Sequence, residues 1–309
     1  MKNKSNIVLA GGSGFLGKAL AAALVGRGYP VAILSRSPRQ RRTEGITEVL
    51  WDGKSAGKWM QFIDGAEAVV NLTGKSVNCR YTPASRREII ESRTGSVRAL
   101  AAAIEQCAVP PKAWVQASSL AIYGDTGDRW CDEYAPHAGD FPAETCKLWE
   151  QAFDSVPLQA TRKVILRISF ALGRDEGALG TLAGLARWFL GGAVGTGRQY
   201  ISWIHIADLT RMFLAAIEEG DVAGVFNAST ANPVTNAEFM RQLRHVLKRP
   251  WSPPVPAWVA RIGAWAMRTE ASLALTGRRA APRRFRERGF EFQFPELRPA
   301  LDDLYGRRQ

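Results

Sequence analysis

The run Gly11-Gly12-Ser13-Gly14-Phe15-Leu16-Gly17 constrains this chain more than any other feature, because it follows the apolar stretch Ile7–Ala10 and opens a helix-patterned segment. A glycine-rich turn in that setting meets three steric needs. Gly11 allows the tight turn, Gly14 lets the backbone approach a pyrophosphate, and Gly17 permits close helix–strand packing. The N–H groups that open the helix then face the phosphate charge. The spacing predicts a dinucleotide-binding unit of Rossmann type, with Phe15 and Leu16 counted among the cofactor-contacting positions.

The rest of the first half repeats that alternation. Apolar runs at Val31–Ser35, Thr47–Leu50, Glu67–Leu72, Ala113–Ser118 and Lys163–Ile168 read as strands, and Phe15–Arg27, Pro83–Gln106 and Glu144–Phe153 as helices. The strands are continuous apolar runs rather than alternating ones, as expected where helices cover both faces. The fold class expected is α/β, a doubly wound parallel sheet. After about Gly173 the character changes. Gly191, Gly192, Gly195 and Gly197 make a loop-rich stretch before the β-like run Tyr200–Ile206. A helix at Asp208–Glu219 and a strand at Gly224–Ala228 return to the sheet. Pro250, Pro253, Pro254 and Pro256 then lead into a smaller, mostly helical region. The expected division is a cofactor-binding domain over residues 1–228, with 174–205 contributing to a substrate cap, and a substrate region over 229–309.

The end of the second strand selects between cofactors. An NAD-binding site places an acid there to accept from the ribose 2′-OH. Here Ser35 and Arg36 stand at that point, with Arg39, Arg41 and Arg42 close behind. A guanidinium suits a 2′-phosphate, so NADP(H) is the expected cofactor.

Composition narrows the classes. Forty-one Lys and Arg against 29 Asp and Glu give a net charge of +12, which raises nucleic acid as a partner. The Arg cluster at Arg278–Arg288 lacks the interleaved aromatics of a single-strand binder, and no nucleic-acid-binding motif is found, so a small molecule is preferred. No run of about eighteen apolar residues suggests a membrane span, and the N-terminus lacks the pattern of a signal peptide. Cys79, Cys107, Cys131 and Cys146 form no Cys-x-x-Cys pair, and no metal site is expected. Reduced thiols in a cytoplasmic protein are the reading. The oligomeric state is not legible.

Six further segments carry a family resemblance. They are Asn71-Leu72-Thr73-Gly74, Arg86–Arg93, Ser118–Gly124, Gly197–Ile206 and Thr235–Phe239, followed by Leu275-Thr276-Gly277-Arg278. Together with the glycine loop they resemble the extended short-chain dehydrogenase/reductase superfamily, and within it the "epimerase family protein" branch. The resemblance covers nearly the whole chain. It implies a nucleotide-sugar-epimerase-like fold that binds NADP(H), with Leu72 and Thr73 against the cofactor. It also implies Glu88 and Arg93 near the ribose and phosphates, and Ala171, in the turn Ser169-Phe170-Ala171, at the nicotinamide end. Ser119 matches the superfamily's catalytic Ser.

One departure limits the chemistry. The superfamily works through a Tyr-x-x-x-Lys pair, and none of the six tyrosines here has Lys four residues on. Counting back from Glu150, the pair's positions hold Pro142 and Cys146. The related branch shares this departure. Ser119, Cys146 and His205 are the candidate catalytic residues. Cys146 is alternatively a buried structural thiol and His205 a satisfied structural histidine. Trp203 and His205 are placed at the cap. The expected function is an oxidoreductase or epimerase acting on an unidentified small molecule. The alternative is a non-catalytic NADP(H)-binding sensor or scaffold.

Overall fold

A computed structural model describes residues 4–38, 43–249 and 251–306. Seven parallel strands form the central sheet. They are β1 (Ile7–Ala10), β2 (Val31–Ser35), β3 (Ile46–Leu50), β4 (Ala68–Asn71), β5 (Ala113–Ser119), β6 (Arg162–Ile168) and β7 (Gly224–Ala228). Their spatial order is β3-β2-β1-β4-β5-β6-β7. The chain winds outward from β1 in one direction, then restarts at β4 in the other. The order therefore reverses between β1 and β4, where the strand ends open a crevice for a ligand.

Helices cover both faces, which is why β1 and β4 are buried along their whole length. On one face α1 (Phe15–Gly26) and α5 (Ile206–Glu218) bury Leu20, Leu24, Leu209 and Phe213 against Leu9, Val70 and Leu166. On the other, α2 (Pro83–Glu105) and α3 (Phe141–Asp154) bury Val97, Leu100, Trp149 and Phe153 against Val8, Val69 and Trp114. Thr82 caps α2, accepting from the Ser85 N–H at 3.2 Å, and Asp140 caps α3, accepting from the Ala143 N–H at 3.1 Å. The helix expected from Glu144 thus begins three residues earlier. Pro142 falls in its first turn, where a missing N–H breaks no helical bond.

A helix that the sequence reading left in a loop-rich region, α4 (Gly177–Arg187), follows β6. Gly180 and Gly184 each cost a helix interior about 1 kcal/mol relative to Ala, while Gly177 opens the helix at φ +57°, where glycine is favoured. Burial of Leu179, Ala183 and Ala186 on one stripe overrides that propensity. The C-terminal lobe packs α4, α6 (Asn236–Val246), α7 (Ala257–Ala266), α8 (Ser272–Leu275), α9 (Arg283–Glu287) and α10 (Leu297–Tyr305) beside the sheet. Phe239, Leu243, Leu301 and Leu304 share a core there with Leu179 and Trp203. Arg279–Ala280 pairs in parallel with Trp130–Cys131, which returns the late chain to the ends of β5 and β6.

Candidate active site

The glycine loop lies at the reversal point. Gly11 has φ +75°, and a Cβ there would stand 3.0 Å from the Thr73 backbone, so both conformation and space require glycine. Gly17 needs its missing side chain for a different reason than sequence suggests. A Cβ would lie 2.3 Å from the Gly12 carbonyl oxygen, so the close packing is of the helix on its own loop rather than on a strand. Gly14 is the contrary case, because a Cβ would meet only the Gly11 oxygen, at 4.0 Å. It is also the N-cap of α1, with no side-chain cap hydrogen bond and no acid in the first turn. The first N–H groups of α1 therefore face an open space that suits an anion. The Phe15 ring covers Gly173, where a Cβ would come within 2.2 Å, and so ties the loop to the segment after β6. Leu16 packs on the core beneath.

At the end of β2, Ser35 is buried; its Oγ accepts from the Ser37 N–H at 3.2 Å and lies 3.5 Å from the Ser13 Oγ. Arg36 follows, exposed. Arg39, Arg41 and Arg42 lie outside the described residues.

At the end of β4, the buried Asn71 amide donates to Gln116 at 3.0 Å and to Ser96 at 3.2 Å. Its oxygen accepts from the Thr73 N–H at 3.0 Å. This fixes Leu72 and Thr73, and leaves the Thr73 hydroxyl buried without a partner among the described residues. The Ser169 hydroxyl, just past β6 and before the short strand that holds Ala171, is likewise buried and unpartnered among the described residues. Such orphaned groups at the strand ends fit a polar ligand lying across the crevice.

Glu88 and Arg93 both act on the loop after β4. Glu88 is ion-paired with Lys75 at the surface. Arg93 donates to the carbonyls of Lys75 at 3.0 Å and Ile89 at 2.9 Å, and its guanidinium lies 5.0 Å from the centre of the Trp149 ring. A Cβ on Gly74 would come 3.1 Å from the Arg93 guanidinium carbon. The contacts shown are therefore with the loop that carries Thr73, where the family resemblance implies contacts with ribose and phosphate.

Of the three catalytic candidates, the structure brings two together. Ser119 ends β5 and caps the 3-10 turn Leu120–Tyr123, its Oγ accepting from the Ala121 N–H at 3.2 Å. Its backbone lies close enough to the Cys146 thiol to pull that thiol's pKa down slightly. Cys146 is buried, and burial, followed by the charge of Glu150, pushes its thiol up to about 12 against the opposing pull of Arg93 and Arg278. It is a neutral thiol at pH 7, neither nucleophile nor base. His205 stands apart from the pair. It caps α5, with Nδ1 accepting from the Ala207 N–H at 3.2 Å. Its Nε2 lies 3.3 Å from Asp303, and its ring lies 4.0 Å from that of Phe294. Burial lowers its pKa. The cap on α5 and the Phe294 contact favour the structural reading of His205 over a proton relay, while its Nε2 makes no hydrogen bond among the described residues. Trp203 is also withdrawn from the cap, fully buried and donating to the Asn232 carbonyl at 3.0 Å.

Two residues that sequence reasoning passed over complete the wall. Tyr81 packs edge-on against Phe141 at 4.8 Å, and its backbone N–H donates to Glu270 at 2.7 Å. Arg278 arrives from the C-terminal lobe, beside the electrostatic reach of Cys146 and Tyr81. The only local signal for it was the stretch Leu275–Arg278, to which no role could be attached.

The architecture and the glycine loop agree with comparisons against known proteins. The chain belongs to the NAD dependent epimerase/dehydratase family, whose model matches residues 7–229. Residues 255–304 match a second model, a domain of unknown function (DUF1731). The chain is 32% identical to the epimerase family protein YfhF of Bacillus subtilis, over 98% of this chain and 99% of that protein. It is 34% identical to human epimerase family protein SDR39U1, over 96% and 99%. The crystal structure of human SDR39U1 isoform 2 with NADPH superposes with a TM-score of 0.84 at 32% identity, covering 97% of this chain and 99% of that one. No helix among the described residues is long and apolar enough to cross a membrane.

Proposed function

We propose that this chain binds NADP(H) across the β1–β4 reversal and uses it as an oxidoreductase or epimerase on a small molecule, with an active site that dispenses with the Tyr-x-x-x-Lys pair. The uncapped N-terminus of α1, open at Gly14, carries the reading. Gly11, Gly14 and the first turn of α1 hold the pyrophosphate. Leu72 and Thr73 line the crevice beside it, and Ala171 closes the nicotinamide end. Ser35 and Arg36 hold the 2′-phosphate, and Glu88 and Arg93 keep the Thr73 loop in place. When bound, the cofactor supplies or accepts a hydride. The NADPH in the human relative supports this choice of cofactor. Residues 1–228 form the cofactor-binding unit, 174–205 contribute to the cap, and 229–309 form the substrate side. Free cysteines suit a reducing compartment such as the cytoplasm.

Ser119 is the hydroxyl placed to hydrogen-bond a substrate oxygen. Cys146 cannot replace a lysine, because a protonated thiol carries no charge to lower a neighbour's pKa. That observation also favours a second reading, a protein that binds the cofactor without turnover. Arg36→Ala separates the cofactor assignment from general loss of binding. It is expected to weaken NADPH by about 1.5–3 kcal/mol, roughly ten- to a hundred-fold, with NADH almost unchanged. Equal losses for both cofactors in calorimetric titrations contradict the role of Arg36.

A further inference from the structure

Near Cys146 and the start of α3 lie two buried hydrogen-bond donors with nothing to bond among the described residues. The Tyr81 hydroxyl and the Arg278 Nε are both buried, and neither has a partner among the described residues. The two converge on the start of α3. Tyr81 packs on Phe141, and Arg278 lies within the field of Asp140, the residue before it. Arg278 and Tyr81 lie within each other's field, and Arg278 also within that of Cys146.

The carboxylates that could satisfy Arg278 are committed elsewhere. Asp140 caps α3 through the Ala143 N–H, and Asp125 accepts from the Gly277 N–H at 3.1 Å. Neither lies within 4 Å ion-pair distance of the guanidinium among the described residues. Glu270, which also faces Tyr81, accepts from the Tyr81 backbone instead. Arg93 is spent on the Lys75 and Ile89 carbonyls. Cys146 is neutral, so it leaves the charge of Arg278 uncompensated. An arginine stays protonated under these conditions even though burial lowers its pKa. Its position is fixed by backbone on both sides. Its N–H donates to Tyr200 at 2.8 Å, and Gly277 before it has no room for a side chain, with a Cβ only 2.4 Å from the Tyr200 nitrogen.

We propose that Tyr81 Oη and the Arg278 guanidinium together bind an anionic oxygen group, a carboxylate or a phosphate, on the small-molecule substrate. The inference rests on the cofactor-site reading only for where the substrate lies. The guanidinium offers a planar pair of donors and the phenol a third, a set that matches an oxyanion and leaves an uncharged ligand poorly held. Substrates of this site are therefore small carbonyl or hydroxyl compounds that carry an acid.

The test is calorimetric titration of the protein saturated with NADP+, using pyruvate, inorganic phosphate and uncharged acetone as probes. One of the two anions is expected to bind saturably and acetone not at all, and the tighter anion identifies carboxylate or phosphate. Arg278→Gln and Tyr81→Phe should each weaken that anion about tenfold or more, while Arg278→Lys recovers part of the loss. The NADP+ affinity and melting temperature of these variants should stay near wild type, which separates the anion site from the fold and from the cofactor site. If NADP+ does not bind at all, the same titrations on the free protein still decide the anion site. Wild-type protein that binds neither anion saturably, or variants that bind it as wild type does, would overturn the proposal.

Discussion

Gly14→Val is expected to lose NADPH binding by about 100-fold or more, equivalent to about 2.7 kcal/mol, while melting within about 2 °C of wild type. The fold has room for the substitution. A Cβ at position 14 meets nothing nearer than the Gly11 oxygen at 4.0 Å, and φ −80°, ψ −177° is an extended conformation open to valine. The same open space is where a pyrophosphate must come within hydrogen-bond distance of the α1 N–H groups, and a branched side chain fills it. Gly17→Val is the control that should behave oppositely. Its Cβ would stand 2.3 Å from the Gly12 carbonyl oxygen, so it should destabilise the fold and reduce the soluble yield. Melting curves and NADPH fluorescence enhancement measure both effects. A Gly14→Val protein that binds NADPH as wild type does contradicts the placement of the pyrophosphate.

The second large effect is on stability. Glu150 and Arg167 form an ion pair with both side chains under 10% exposed. The Glu150 carboxylate accepts from Arg167 Nε at 2.9 Å, from Arg167 Nη2 at 2.7 Å and from the Ser118 hydroxyl at 2.5 Å. Arg167 further donates to the Tyr123 hydroxyl at 2.9 Å and meets His137 Nε2 at 3.0 Å, and Tyr123 donates to Asn227 at 2.9 Å. Removing one partner strands the other charge in the interior. Glu150→Ala should therefore cost about 3–5 kcal/mol, a large share of the roughly 5–15 kcal/mol that stabilises an ordinary domain. Pairing Glu150→Met with Arg167→Met should recover much of that loss, since the uncompensated charge is then gone. Urea denaturation of the two single variants and the double variant gives the coupling. A single-variant loss below about 1 kcal/mol contradicts the assignment of this network as a structural anchor beneath Ser118 and Ser119.

What was legible in the sequence was local. The strand–glycine loop–helix unit is written in the consecutive residues Ile7–Gly26, and the continuous apolar strands announce helices on both faces before any contact is seen. The return of Gly224–Ala228 to the sheet follows from the same pattern. What was hidden depends on residues far apart in the chain. Tyr81 and Arg278 meet only through the folded C-terminal lobe, and Tyr123 finds Asn227 across 104 positions. Arg93 looked like one more charge on a helix, because its partner is a backbone carbonyl that only the loop after β4 presents. His205 stood between a proton relay and a structural role, because its sequence neighbours carry no mark of the helix cap it forms. The α4 helix was obscured by its glycines, whose low propensity is overridden by packing that no window of sequence displays. Glu150 was aligned with the superfamily pattern by spacing alone, and its pairing with Arg167 gives that position a structural reason.

The central claim is that the crevice between β1 and β4 holds a dinucleotide and selects the phosphorylated form. Titrating the wild-type protein with NADPH and with NADH in the same calorimetric buffer tests it most directly. Saturable one-to-one binding of NADPH, tighter than NADH by roughly ten- to a hundred-fold, is the predicted result. Absence of binding by either nucleotide, or NADH bound as tightly as NADPH, contradicts it.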